Sequence, residues 1–220
     1  MIDKDLKKQT QAQVIQEALD LLHLASERAS AGGDNLPVLE TPRLVLKLAN
    51  LNDVREVVRF FLDNKNHLEI WEPTREKDFY TEDRWLKQIE KRTLEFFAEQ
   101  SMMLFIFEKQ NRDEIIGTVN FTNFRKRSSY SCCLGYSLAE NAQAKGYMHE
   151  ALEYSIRYVF ERLRFHRIEA SYQPENGRSA KVLKGLGFQV EGRAKDYLFL
   201  NGAWRDHVLT SLTNAQWKEL

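Results

Sequence analysis

Between Leu134 and Leu163 the hydrophobic period of the chain changes from that of a strand to that of a helix. Cys132, Leu134, Tyr136 and Leu138 alternate with Cys133, Gly135 and Ser137, as in a strand with two unlike faces. Ala139 to Lys145 is a small, polar connection. From Gly146 onward, Leu152, Ile156, Val159, Phe160 and Leu163 fall on one helical face. A strand that passes through a glycine turn into a buried helix presents free backbone N–H groups at the helix start. Those groups and the helix dipole favour an anion, typically a phosphate. A strand–turn–helix that binds no phosphate is the plainer alternative.

The rest of the chain reads as a sheet with helices packed on it. Arg43 to Leu48 alternates as a first strand, and Asn52-Asp53 caps a helix carrying Val54, Val57, Val58, Phe61 and Leu62. An irregular link, His67 to Pro73, leads to a second helix from about Glu82 to Glu99. Strands follow over 103–109 and 115–124, joined by the polar turn 110–114. His166 to Tyr172 is a further strand, and Ser179 to Gly185 a short helix closed by Gly187. The end is a hairpin, 188–200 and 204–212, about Asn201-Gly202, the strongest short turn signal present. Residues 1–36 stand apart: Ile15, Ala18, Leu19, Leu22 and Ala25 mark an amphipathic helix, ended by Gly32-Gly33-Asp34-Asn35. That helix either folds back on the main domain, 37–220, or serves as a docking or dimerisation element.

Bulk properties narrow the function. Lys plus Arg and Asp plus Glu number 32 each, which argues against a protein whose main work is clamping nucleic acid. The two cysteines, Cys132 and Cys133, are adjacent on a strand and face opposite ways, so they form neither a disulfide framework nor a spaced metal set. The five histidines form no metal-spaced cluster. No apolar run approaches a membrane span, and the first residues lack the apolar core of a signal peptide, so a cytoplasmic location is expected.

Gln143-Ala144-Lys145-Gly146-Tyr147-Met148 resembles the Q/R-x-x-G-x-G/A pyrophosphate signature of the GNAT acetyltransferases, with Met148 in place of the last small residue. The order of elements over roughly 37–213 is also similar to theirs. Leu68-x-x-Trp71-Glu72-Pro73, Pro174-Glu175-Asn176-x-x-Ser179 with Gly185-Leu186-Gly187-Phe188, and Glu191-Gly192-x-x-Lys195-Asp196-Tyr197 with Asn201-Gly202-x-Trp204-Arg205-Asp206-His207-Val208 resemble the RimJ/RimL branch. Within it the chain is most similar to the RimJ group of ribosomal-protein alanine N-acetyltransferases. The resemblance implies an α/β GNAT fold: a mixed, mostly antiparallel twisted sheet flanked by helices, here with an extra N-terminal helix. It implies acetyl-CoA as cosubstrate, no metal, and direct transfer in a ternary complex to the α-amine of a protein N-terminus, that of a ribosomal protein.

The same resemblance implies site residues. Tyr136, Ser137 and Leu138 would flank the pantetheine arm, and an N–H near Leu138 would polarise the thioester carbonyl. Gln143, Lys145, Gly146, Tyr147 and Met148 would surround the diphosphate. Asn176 would contact the pantetheine arm or cap the next helix, and Ser179 would lie near the sulfur as the acid. The tyrosine that many GNAT enzymes place seven residues after the asparagine is Leu183 here, and the glutamate expected as base falls on Leu198. Glu72 is therefore the first candidate base, followed by Asp196 and Tyr197. Two rival readings remain: an N-acetyltransferase of a small amine (a polyamine, aminoglycoside or amino acid derivative), for which Glu69, Glu72, Glu76 and Asp78 would line a cleft, and a noncatalytic acyl-CoA-binding or ribosome-assembly module. Arg125-Lys126-Arg127 reads as a solvated loop or a contact to RNA or CoA phosphate.

Overall fold

The computed structural model describes residues 36–219. The helix expected within 1–36 and its link therefore lie outside the described residues, except for Leu36 at the end of the link. Eight strands form one sheet in the order β1-β2-β3-β4-β5-β6-β8-β7. They are β1 (Val38–Glu40), β2 (Leu44–Lys47), β3 (Met102–Glu108), β4 (Asn111–Arg125), β5 (Ser131–Leu138), β6 (Arg167–Tyr172), β7 (Gln189–Leu200) and β8 (Ala203–Thr213). All neighbours are antiparallel except β5 and β6, which run parallel. Parallel neighbours need a crossover, and the helix α4 defined below supplies it.

Among the described residues five α-helices flank the sheet: α1 (Val54–Asp63), α2 (Lys65–Leu68), α3 (Glu82–Phe97), α4 (Tyr147–Glu161) and α5 (Gly177–Gly185). The strands of the sheet centre are buried on both faces, so β3 reads as a continuous apolar run rather than an alternation. Leu46, Ile106, Leu104, Val119, Phe121, Leu134 and Cys132 share one face through the strand register, and α4 covers it with Met148, Ala151, Leu152, Ile156 and Val159. On the other face Trp85 of α3 stands edge-on to Phe105, with centroids 6.2 Å apart, and stacks on Phe61 of α1 at 5.1 Å. The indole N–H of Trp85 donates to the Phe79 carbonyl (2.8 Å), so this ring is both core and clasp.

Within residues 36–219 the expected elements are present, with differences at an edge strand, a turn and a cap, and with a short helix, α2, entering the link expected to be irregular. A short edge strand, β1, precedes the first expected one; three residues after Pro37 carry too little alternation to register. The turn between β3 and β4 is tighter than the polar run suggests, because Asn111 to Glu114 join the strand. The cap ahead of α1 is Asn50 and not Asn52: its side chain accepts from the Asn52 N–H (2.8 Å), closing a single 3-10 turn that leads into α1. The β7–β8 hairpin turns at Asn201 (φ 50°) and Gly202 (φ 76°), both left-handed as a two-residue turn of this kind requires.

Candidate acyl-transfer site

β5 and β6 pair only from Ser131↔Arg167 to Leu134↔Ala170, although both strands continue. Past Leu134 the neighbours part and leave a seam in the middle of the sheet. The Ala139 N–H donates to the Ile116 carbonyl on the β4 side (2.8 Å). Antiparallel alternation then turns Ser137 and Gly135 toward β4 as well, and points the N–H groups of Tyr136 and Leu138 into the seam. Two unpaired amides beside an open strand edge suit an extended amide chain and a carbonyl oxygen. Tyr136 and Leu138 thus turn their amides to the seam. Ser137 turns away from the seam, and its hydroxyl lies 2.8 Å from that of Thr118.

The lower end of the seam leads to the turn before α4. Gly146 is the N-cap residue, at φ 78°, in the left-handed region where an L side chain is strained. It contributes no side-chain cap, so the amides of the first helical turn, on Tyr147 and Met148, are left for an anion. Met148 itself is buried in the core, so only its main chain can serve there. Lys145 extends from the turn; its carbonyl accepts from Arg43 Nη1 (2.9 Å). The Gln143 side chain is fixed from both ends: its Nε2 lies 2.7 Å from His67 Nε2, and its Oε1 accepts from Arg178 Nη1 (2.6 Å).

A partly buried carboxylate anchors this turn to the sheet edge. Glu150 accepts from the Thr41 hydroxyl (2.6 Å), the Arg43 N–H (2.8 Å) and Arg43 Nε (2.6 Å). Burial alone would raise the Glu150 carboxyl, but these donors outweigh it and hold the group below the ordinary carboxylate range. Arg43 also lies 4.7 Å over the Tyr147 ring. Thr41, Arg43, Glu150, His67 and Arg178 escaped the sequence reading. Only Glu150, an acid in the first turn of a helix, left a trace of its role.

Above the seam, on the α5 side, the Tyr136 hydroxyl lies 2.7 Å from Ser179 Oγ. Burial pushes the Tyr136 phenol up to about 12, against the opposing pull of the Ser179 bond. Asn176 caps α5, its Oδ1 accepting from the Ser179 N–H (3.0 Å), so the cap is the role its geometry displays. Asn176 therefore fixes where Ser179 stands.

None of the residues proposed as bases is hydrogen-bonded to the Tyr136–Ser179 pair among the described residues. Glu72 is ion-paired with Arg75, whose guanidinium covers the Phe79 ring at 3.9 Å and the Phe61 ring at 4.4 Å. Asp196 receives no side-chain partner, but its N–H donates to Asp206 (3.0 Å), while Tyr197 packs against His207 at 5.5 Å. The link around Glu72 meets the hairpin tip: Asn201 donates to the Glu69 carbonyl and accepts from Thr74 (3.3 Å). A cavity of ≈ 550 Å³ lies between them, lined by Glu69, Ile70, Pro73, Thr74, Arg75 and Asn201 among others. Another, of ≈ 340 Å³, opens between α1 and the Ala139–Asn141 turn. Two residues of the basic run are engaged: Arg125 pairs with Glu169, and Lys126 reaches Glu99 (3.5 Å) and the Leu163 carbonyl (3.2 Å). Cys132 is buried and Cys133 half-buried, both as free thiols, and burial pushes the Cys132 thiol up. No group of His, Cys, Asp and Glu able to hold a metal occurs among the described residues. No helix among them is long and apolar enough to cross a membrane.

Comparisons with known proteins agree with this geometry. Residues 43–189 match the Acetyltransferase (GNAT) domain. The chain is 40% identical over 179 residues to the [ribosomal protein uS5]-alanine N-acetyltransferase of Escherichia coli, covering 81% of this chain and 92% of that one. A crystal structure of ribosomal-protein-S5-alanine acetyltransferase from Vibrio fischeri superposes with a TM-score of 0.80 at 36% identity, covering 83% of this chain and all of that one (100%). Mycobacterium smegmatis RimJ, solved in complex with CoA-disulfide, does so with a TM-score of 0.74 at 28% identity, covering 84% and 89%. A sheet parted between its parallel strands, an uncapped helix start below the parting and a serine above it are what an acyl-CoA-dependent transferase needs, and with these matches they place the chain in the GNAT family of N-acetyltransferases.

Proposed function

We propose that this chain transfers the acetyl group of acetyl-CoA to the α-amine of a ribosomal protein's N-terminus, directly in a ternary complex and in the cytoplasm. The observation that carries the reading is the seam: two unpaired amides on one strand edge, with a phosphate-suited turn at one end and the Tyr136–Ser179 pair at the other. The acceptor class follows the relatives, whose names specify the alanine terminus of uS5.

Acetyl-CoA supplies an activated thioester, and the chain supplies the rest. The first-turn amides of α4 and the Arg178 cation, already against Gln143, favour the diphosphate. The Tyr136 and Leu138 amides donate to the carbonyl oxygen as it gains charge. The acceptor nitrogen forms the new bond to the carbonyl carbon while the carbon–sulfur bond breaks. Ser179 gives its proton to the departing sulfur and takes one from the Tyr136 hydroxyl, which in the same step regains the proton that water has removed from the acceptor amine; burial disfavours a lasting phenolate, so the two transfers run together.

Among the described residues no carboxylate is hydrogen-bonded to that pair, and an α-amine needs little help: its reference pKa of about 8 lets water take the proton. In this scheme Glu72, held by Arg75, attracts the cationic acceptor and does not act as the base. Thiol release measured with acetyl-CoA against peptides and against polyamines, with mass spectrometry locating the acetyl group, tests the whole reading. Turnover with an alanine-led peptide, acetylated on its α-amine, is expected. Turnover confined to polyamines, or none with bound acetyl-CoA, overturns it.

A further inference from the structure

The seam has two faces, and Ser179 occupies one of them. The acceptor must therefore approach from the face that bears α1 and α3. On that face the register lines up Met103, Asn120 and Gly135 across β3, β4 and β5. Gly135 is exposed although it lies in the middle of a central strand, and a Cβ placed on it meets no atom within 4 Å. That is an open floor at the residue where the seam begins to part.

Two buried polar groups on this side of the sheet have no hydrogen-bond partner among the described residues. Asn120 Oδ1 is shut off from solvent and has no hydrogen-bond partner. Arg92 Nε is likewise buried without a partner. Arg92 lies one turn beyond Ile89 and two beyond Trp85 on the inward face of α3, and α3 runs on through 98–101 into the start of β3. Its place is thus over the first residues of β3, the rank to which Asn120 belongs. Burial and the nearby Arg75 both disfavour its charge, and Glu95 offsets them only in part. An orphaned acceptor and an orphaned donor on one side of the sheet are costly to a fold unless something fills them.

Building on the acceptor reading above, we infer that Asn120 and Arg92 hold the first peptide unit of the acceptor: Asn120 accepts its N–H, Arg92 donates to its C=O, and Gly135 leaves room for the chain. A peptide unit presents one donor and one acceptor whatever its side chain, so this pair reads main chain and not sequence. Asn120, Arg92 and Gly135 are positioning residues, which act on where the amine sits and not on the reacting bonds.

The test compares two alanine-led hexapeptides, one natural and one N-methylated at the first amide, which removes the N–H that Asn120 would accept. The full chain should show a kcat/KM about tenfold lower for the methylated peptide, the worth of one hydrogen bond. In Asn120→Ala, and in Asn120→Ser as a milder variant, that ratio should shrink to about one while the calorimetric Kd for acetyl-CoA stays put. Gly135→Val, at a position with no left-handed backbone, should raise KM for both peptides and leave acetyl-CoA binding unchanged. A methylation penalty that survives in folded Asn120 variants overturns the inference while leaving the acceptor reading intact. A wild-type chain that acetylates neither peptide overturns the acceptor reading, and this inference with it.

Discussion

Tyr136 and Ser179 meet oxygen to oxygen at 2.7 Å, one from a strand and the other from a helix that starts more than a strand and a crossover later. Neither group alone is a strong acid. The serine is small enough to stand at the sulfur, and the buried phenol behind it is a proton reserve shielded from solvent. Ser179→Ala should therefore lower kcat by about a hundredfold, and Tyr136→Phe by about tenfold, with acetyl-CoA affinity nearly unchanged. The double variant should be no worse than Ser179→Ala, because the phenol works through the serine. Steady-state kinetics of the three proteins settles this; additive losses would show two independent roles.

How much of this was legible in the chain depends on whether the signal was local. The strand–turn–helix at Cys132 to Leu163 could be read because period and glycine lie within one stretch. The same holds for the hairpin at Asn201-Gly202, and for Ser179 and Asn176, which sit three apart in one helix start. What could not be read joins distant segments. The Tyr136 side chain looked like one more apolar position of an alternating strand, and nothing near it in sequence names a partner on α5. The Arg43–Glu150 pair spans the sheet edge and the central helix, so each residue alone looks like a surface charge. The pairing of Glu72, the first candidate base, is hidden for the opposite reason: its partner Arg75 is only three residues away, but in an irregular link no periodicity shows which way either side chain turns.

Gly146 combines two demands that a side chain violates separately. Its φ of 78° strains any L residue, and a Cβ there would lie 3.4 Å from Arg43 Nη2. Gly146→Ala should cost about 1–2 kcal/mol of stability from the backbone alone. Gly146→Val should in addition weaken acetyl-CoA binding, since the side chain crowds the amides of the turn. Calorimetric titration of the two variants separates the effects: equal Kd values in alanine and wild type, with a weaker one in valine, are the expected pattern.

Glu72 offers a sharper discrimination. If its carboxylate took the acceptor's proton, Glu72→Gln would depress kcat and erase the acidic limb of the pH profile. Paired with Arg75, it should instead leave kcat nearly unchanged and raise KM for a cationic peptide by about threefold, an effect that fades in high salt. The acidic limb should stay near pH ~8, where the α-amine itself loses its proton.

The Thr41–Arg43–Glu150 anchor makes the stability of the phosphate turn depend on acid. The folded state holds the Glu150 carboxyl below its unfolded value, so the carboxylate stabilises the fold fully above the unfolded pKa. That contribution is lost as pH falls through the folded value, because protonation removes the charge that strengthens the three hydrogen bonds from Thr41 and Arg43. Glu150→Gln should thus be destabilised by about 2 kcal/mol at pH ~7, roughly 4–8 °C in Tm. Below pH ~4 the two proteins should melt closer together, since wild type has then lost the same charge. Thermal melts at the two pH values test the sign as well as the size. A gap that widens in acid would mean that Glu150 is held protonated in the fold, and Arg43 could then not be what positions the turn beneath Gly146.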